Sequence, residues 1–305
     1  MLKVVALAGG TGSAKILRGL SRLRIQLTIV GNVGDNVWMH GLYICPDLDI
    51  AMYTLAGVED KKQGWGIRGD SFETLKQLRK LGQETWFKLG DRDLATHILR
   101  TRMLKEGATL TEATDVLCKK FGVRHQILPV TNHSVETQVK TRKGALHLQE
   151  FWVRDRGRPA VRGVDYNGGD VARATKEVLR VMAEADRVVV CPANPVTSIG
   201  PILAVGGMQK ALKDTSARVS ALSPMIGRAP FSGPAAKLME ALGMRPDSVG
   251  VAERYSDFLD ALIVDPSDGS LAEEIERLGV KCSTSQTRIR GSQDETRLAR
   301  ELIEI

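Results

Sequence analysis

The chain has 305 residues, 43% hydrophobic and 26% charged, with 43 Lys and Arg against 36 Asp and Glu, a net charge of +7 and a pI near 9.3. That length supports a sizeable core, and the composition is ordinary for a soluble globular protein. No Lys/Arg run interleaved with aromatics occurs, so the charge favours small anionic ligands over nucleic acid, and no apolar run is long enough for a membrane span.

Leu2 to Ala8 is a Val-rich apolar run ending in Gly9-Gly10-Thr11-Gly12-Ser13, after which Ile16, Leu17, Leu20 and Leu23 follow at helical spacing. Strand, glycine turn and helix in that order put backbone N–H groups in front of a phosphate. Gly9, Gly10 and Gly12 let the backbone approach, Thr11 and Ser13 add hydroxyls, and Lys15 adds a point charge. The run is not a Walker loop, and Lys15 stands where G-x-G-x-x-G needs its third glycine. A tight turn without a ligand is the alternative reading. A core strand at the N-terminus predicts that no signal peptide is present, and a cytoplasmic protein is expected.

Leu27 to Gly31 predicts a second strand, opening into a polar loop to Gly41 that carries Asp35, Trp38 and His40. Pro46-Asp47-Leu48-Asp49 then leads into a helix ending at Ala56. One Asp at a helix start reads as a cap, worth about 1 kcal/mol. Asp47 and Asp49 together with Asp35, all beyond the carboxyl ends of core strands, point instead to a ligand or metal site.

From about residue 59 to 169 the pattern changes to helices at Ser71–Leu81, Leu94–Lys105 and up to Phe121, the last opened by a Thr109/Glu112 capping box. A hairpin follows, Glu136–Thr141 and Ala145–Trp152, turning at Lys143-Gly144. This stretch is expected to be an insertion or lid. His40 and His97 are placed to touch a ligand or to make structural hydrogen bonds. Trp65 and Trp152 fit either ring stacking or, more readily, core packing.

The α/β rhythm resumes with a helix at Asp170–Ala185 and a strand at Arg187–Cys191. That strand opens into Pro192-Ala193-Asn194-Pro195-Val196-Thr197-Ser198-Ile199-Gly200-Pro201, and a helix follows to Leu212. Arg218–Leu222, Ala261–Val264 and Val280–Ser283 read as further strands. A loop at Gly227–Pro234 leads to a helix ending at Leu242, and Asp294–Ile303 closes the chain. The four cysteines, Cys45, Cys118, Cys191 and Cys282, form no CxxC pair and are expected to be reduced, which makes a zinc site unexpected. The fold expected is a single α/β domain over residues 1–305, a doubly wound, mostly parallel, Rossmann-like sheet with a helical and β-hairpin insertion.

With these loops in place, the chain resembles the 2-phospho-L-lactate transferase family (CofD/FbiA) of coenzyme F-420 biosynthesis. The resemblance rests on Gly9-Gly10-Thr11-Gly12, the Gly34-Asp35 loop with Trp38-Met39-His40-Gly41, Pro46-Asp47-Leu48-Asp49 and Lys88-Leu89-Gly90-Asp91-Arg92-Asp93-Leu94-Ala95-Thr96-His97. It continues through Asn194 to Ile202, Ser232-Gly233-Pro234-Ala235 and Gly250-Val251-Ala252-Glu253. It implies transfer of a phospho-organic acid (phospholactate, phosphoenolpyruvate or phosphoglycerate type) from a guanosine diphosphate-linked donor. The acceptor implied is the terminal ribityl hydroxyl of the deazaflavin Fo, with GMP released and Mg2+ assisting.

In that resemblance Asp49 and Lys88 contact Fo, with Trp38, His40 and Arg92 as further acceptor-side candidates. The glycine loop and Asn194, Ser198 and Gly200 hold the donor phosphates together with Lys15, and a homodimer is implied. Asn36 and Ala193 depart from the family pattern, which usually has an acidic residue and Ser there.

The residues' own chemistry agrees, since displacement at phosphorus needs positioning and charge neutralisation. Asp35 and Asp49 are the expected catalytic residues and Mg2+ ligands, with metal binding and orientation ranked above proton abstraction. If Asp49 only caps a helix, Asp49→Asn should barely change stability. A non-catalytic nucleotide-sugar-binding regulator of the gluconeogenesis-factor type is the alternative function. A nicotinamide dehydrogenase is disfavoured by the missing third glycine.

Overall fold

Lys3–Ala8 forms β1, near the middle of a seven-stranded sheet in the computed structural model, which describes residues 1–230 and 233–305. Phe231 and Ser232, in the loop expected between Gly227 and Pro234, lie outside the described residues. The other sheet strands are β2 (Gln26–Gly31), β3 (Gln126–Pro129), β4 (Arg187–Val190), β5 (Arg218–Leu222), β6 (Ala261–Val264) and β7 (Lys281–Thr284). Their order is β7-β6-β5-β4-β1-β2-β3, and every pairing is parallel. Helices flank the sheet, which is why β1, β4 and β6 are near-continuous Val/Ile/Leu runs and not alternating ones.

The chain leaves β1 towards β2 on one side and returns at β4 on the other. That reversal makes the carboxyl ends of β1 and β4 the switch point at which open α/β sheets bind ligands. Each of the two strands feeds a glycine-containing turn. Helix α1 (Gly10–Ser21) begins inside the glycine run, four residues ahead of the expected start at Ala14. Gly10 takes a left-handed φ of +64°, and a Cβ on Gly12 would stand 2.3 Å from the Pro192 carbonyl oxygen. The two turns touch, and glycine is what lets them.

Helix α2 spans Pro46–Leu55, and helix α3 spans Asp91–Lys105. Asp70 accepts from the Arg92 and Asp93 amides at the start of α3 (2.8 and 3.0 Å). Asp91 in turn caps Glu73–Lys80 through the Glu73 and Thr74 amides (2.9 and 3.0 Å). The Thr109/Glu112 capping box is formed.

Several elements differ from expectation. Gln126–Pro129 is an unexpected core strand inside the stretch read as an insertion, and Val161–Asn167 pairs with Glu136–Thr141 to make the hairpin three-stranded. The hairpin's second strand stops at His147, and Glu150–Arg154 is a π-helical turn that carries Trp152 and Val153 to the cavity wall. The helix expected to Leu212 breaks at Gly207, where φ is +96°. The helix Ser248–Tyr255 was not expected and is capped by Asp247. Burial pushes the thiols of Cys45, Cys118 and Cys191 to about 12, in keeping with inert core residues. Among the described residues no helix is long and apolar enough to cross a membrane.

Helix α1 lies against the C-terminal helix Ser292–Glu304 so closely that a Cβ on Gly19 would stand 2.0 Å from the Glu295 carbonyl oxygen. Alanine is the better helix former by about 1 kcal/mol, yet Gly19→Ala should lower the melting temperature by several degrees. Overpacking of this kind costs about 1–3 kcal/mol. An unchanged or higher melting temperature would show that these helices are not held so near.

Candidate active site

A cavity of about 700 Å³ opens at the switch point, floored by the two glycine turns and the start of α2. Its walls come from Gln63, Trp65 and Gly66, from Trp86–Lys88, from Leu148, Gln149, Trp152 and Val153, and from Gly233–Ala235, with Arg156 also lining it. The floor is organised by Asn32 at the end of β2, which is fully buried. Its Nδ2 lies 3.0 Å from Asp35 Oδ1, 2.8 Å from Asp47 Oδ2 and 3.3 Å from the Thr197 carbonyl, while its Oδ1 accepts from the Gly34 amide (2.8 Å).

Two carboxylates therefore share one neutral amide. Burial, and then the charge of Asp47, raise Asp35 well above the ordinary carboxylate value. Burial likewise raises Asp47 to about 6, against the hydrogen bonds from Asn32 and the Gly10 amide. Such a pair without a cation beside it is the donor set for a hard divalent ion, which takes one or two carboxylates and completes its shell with water and phosphate oxygens.

Asp49 is built differently. The α2 N-cap is Cys45, and no side chain caps the helix. Both Asp49 oxygens are bonded by the Arg100 guanidinium of α3, Oδ2 to Nη1 at 3.0 Å and Oδ1 to Nη2. Burial disfavours the Arg100 charge, but the Asp49 carboxylate outweighs it and holds that pKa above the ordinary value. His97 lies between this pair and Asp93, with Nδ1 3.3 Å from Arg100 Nη1 and Nε2 3.3 Å from Asp93 Oδ1. The Tyr53 hydroxyl joins Asp93 (2.6 Å) and Thr96 (2.8 Å). Asp49 is thus ion-paired rather than a helix cap, the rival reading of its position, while Asp35 and Asp47 are the two carboxylates that share Asn32.

The glycine loop spends part of its donors internally. The Gly9 amide donates to Ser13 Oγ (3.1 Å) and the Gly10 amide to Asp47. Thr11 and Gly12 are left as the first-turn amides of α1 that line the cavity. Across the switch point Asn194 Oδ1 accepts from the Val196 amide (2.9 Å), while its buried Nδ2 has no partner among the described residues. An orphaned N–H2 group beside helix-start amides is able to donate to an anion's oxygens.

Of the expected site residues, Gly9, Gly10, Thr11, Gly12, Asp35, Asp49, Lys88, Asn194 and Ser198 line the cavity, as does Ala193. Others do not reach it. Trp38 stacks on Tyr43 (centroids 5.0 Å apart) on the ribbon Val37–Met39/Leu42–Ile44, and His40 sits at that ribbon's exposed turn. Arg92 bonds the Arg68 carbonyl (3.2 Å), and Lys15 the Ile289 carbonyl (3.3 Å). Gly200 is buried beneath Tyr166, whose hydroxyl a Cβ there would meet at 2.1 Å. Asn36 donates to the Tyr43 hydroxyl (3.2 Å). Sequence reasoning missed Asn32, Asp93, Trp86, Phe87, Arg100 and Arg156. It left Trp65 and Trp152 as core candidates, whereas both line the cavity.

Glycine turns meeting at the switch point of a parallel sheet, beneath a carboxylate floor and an aromatic wall, define a Rossmann-like α/β protein that binds its ligand at the sheet's carboxyl edge. The family model described as 2-phospho-L-lactate transferase CofD matches residues 4–298, and the chain belongs to that family. It is 41% identical over 298 residues to a protein of Methanosarcina mazei named 2-phospho-L-lactate transferase, covering 97% of this chain and 98% of that one. It is 38% identical over 312 residues to a protein of Streptomyces griseus named phosphoenolpyruvate transferase, covering 100% and 98%. Among solved structures, a member of the UPF0052 family from Bacillus halodurans superposes with a TM-score of 0.68 at 16% identity, covering 100% and 99%, a likeness of fold. The protein is thus a transferase of the CofD type.

The carboxylate floor has a signature in pH. Asp47 titrates near 6 when folded, against an ordinary 3.8, so between those values the folded state holds a proton that the unfolded state has lost. Its contribution to stability is therefore present below pH 4 and falls as pH rises to 6, and Asp35 acts in the same direction. In metal-free buffer, Asp47→Asn should gain on the wild type by several degrees of melting temperature between pH 4 and 7. A difference that does not change with pH would contradict the raised pKa.

Proposed function

We propose that the protein moves a phospho-organic-acid group from a guanosine diphosphate-linked donor to the terminal ribityl hydroxyl of the deazaflavin Fo, releasing GMP, as a step of coenzyme F-420 biosynthesis. The observation that carries this reading is one cavity joining a phosphate end, with free first-turn amides and the orphaned Asn194 Nδ2, to an aromatic end formed by Trp65, Trp86, Phe87 and Trp152. The names of the relatives, which differ only in the acid transferred, support the same chemistry.

In this mechanism the Thr11 and Gly12 amides and Asn194 Nδ2 take donor phosphate oxygens. The deazaflavin ring lies along the tryptophans, and Lys88 holds the acceptor's polar end. Asp49, fixed in orientation by Arg100, accepts a hydrogen bond from the acceptor hydroxyl and aims it. The acceptor oxygen bonds to the phosphorus bearing the acid, that phosphorus loses its bridging oxygen to departing GMP, and the hydroxyl proton goes to solvent. Mg2+ held by Asp35 and Asp47 would neutralise charge on the diphosphate. Most of the gain comes from positioning and from a preformed electrostatic frame. The homodimer implied by the family resemblance is part of the same proposal.

GMP release with Fo and lactate- or enolpyruvate-linked guanosine diphosphate is the direct assay, and excess EDTA should abolish it. Asp49→Asn should lower kcat at least about tenfold. It should also melt several degrees lower, because it leaves the Arg100 charge buried against a neutral amide, a loss of about 3–5 kcal/mol. Wild-type turnover in EDTA, or by Asp49→Asn, would sink this assignment.

A further inference from the structure

Two charged groups on the cavity wall are cationic among the described residues, Lys88 and Arg156. The mechanism above gives Lys88 to the acceptor and leaves Arg156 without a task. Arg156 also lines a second cavity, of about 830 Å³, with Arg142, Lys143 and Arg158, so it stands in the wall between the two. Its backbone is held at φ +55°, a left-handed value that non-glycine residues seldom adopt and an arginine has no side-chain reason to favour.

The residues on either side of it are held in place. Trp152 lies against Gly157, where a Cβ would stand 2.9 Å from the ring, and Lys237 bonds the Gly157 and Arg158 carbonyls (2.6 and 3.3 Å). The neighbouring Arg154 is fully engaged, with Glu150 (2.7 Å), with Asp155 (3.0 Å) and over the Trp86 ring (5.9 Å). Arg156 has no ion-pair or hydrogen-bond partner among the described residues. Arg156 is exposed, and an unpaired cation on the wall of a ligand cavity, on a backbone that non-glycine residues seldom adopt, points to function.

We infer that Arg156 is a specificity residue of the donor site, whose guanidinium takes the carboxylate of the acid being transferred. The inference rests on the transferase reading and deepens it. In that reading the switch-point turns of the floor meet the diphosphate, so the carboxylate is the donor's remaining anion. A planar guanidinium fork matches a carboxylate in two parallel hydrogen bonds, which a lysine does not. Arg142, Lys143 and Arg158 beyond the wall add positive potential and no competing carboxylate of their own, and Asp155, the one acidic residue there, is bound to Arg154.

The test is binding in the absence of acceptor, by calorimetry, of lactate-linked guanosine diphosphate, its carboxamide counterpart and GDP. The wild type should prefer the acid over the carboxamide by about ten- to a hundredfold, the range of a charged hydrogen-bonded contact. Arg156→Gly should erase that preference, bind GDP as the wild type does and melt no lower, since glycine suits the left-handed backbone. Arg156→Lys should keep only a fraction of the preference. An intact preference in Arg156→Gly, or no preference in the wild type, overturns the inference. Equal weakening of GDP and donor also overturns it, by assigning the guanidinium to a phosphate. Because Fo is absent, failure of transfer to Fo would count against the proposed reaction and leave this result standing.

Discussion

Asn32 is the side chain on which the site depends. From the end of β2 its single amide reaches Asp35 in the following loop, Asp47 on α2 and the Thr197 carbonyl beyond β4. These elements come from both halves of the sheet. A neutral amide satisfies hydrogen bonds without cancelling charge. The carboxylates are therefore pinned in place yet left electrostatically unrelieved, at a cost the folded protein carries until a cation or a proton arrives. An arginine at this position would have cancelled that charge.

Asp49 shows the opposite solution two residues along the same helix. Its charge is paired with Arg100, which holds both carboxylate oxygens in one orientation. The division follows from which helix each side chain faces. Asp47 looks towards the glycine turn and Asn32, while Asp49 looks towards α3, where His97, Asp93 and Tyr53 extend the buried polar layer. One wall of the cavity thus carries a carboxylate paired with a guanidinium, while the two carboxylates of the floor share only a neutral amide.

Much of this was legible in the sequence because it is local. The Val-rich strand running into Gly9-Gly10-Thr11-Gly12 and the second turn at Asn194–Pro201 announce a parallel sheet with ligand turns, and the Asp35/Asp47/Asp49 grouping announces a charged floor. What was hidden depends on contacts far apart in sequence. Arg100 stands 51 residues from the Asp49 it neutralises, and nothing in its helical neighbourhood marks it as buried. Asn32 looks like any loop asparagine until Asp47 is brought against it.

Gln126–Pro129 is too short and too close to a proline to declare itself as a core strand, and it becomes one by pairing with β2. Trp38 and His40 failed for the converse reason. They adjoin Asp35 in sequence, but the ribbon Val37–Met39/Leu42–Ile44 carries them away from the cavity. The most direct check on the whole account is a crystal structure grown with GDP, Fo and Mn2+, read for manganese by anomalous scattering. The account places the manganese peak between Asp35 and Asp47, the diphosphate against the Thr11 and Gly12 amides and Asn194, and the deazaflavin ring along the tryptophan wall. A manganese peak at Asp49, or a nucleotide seated in the basic cavity beyond Arg156, would contradict it.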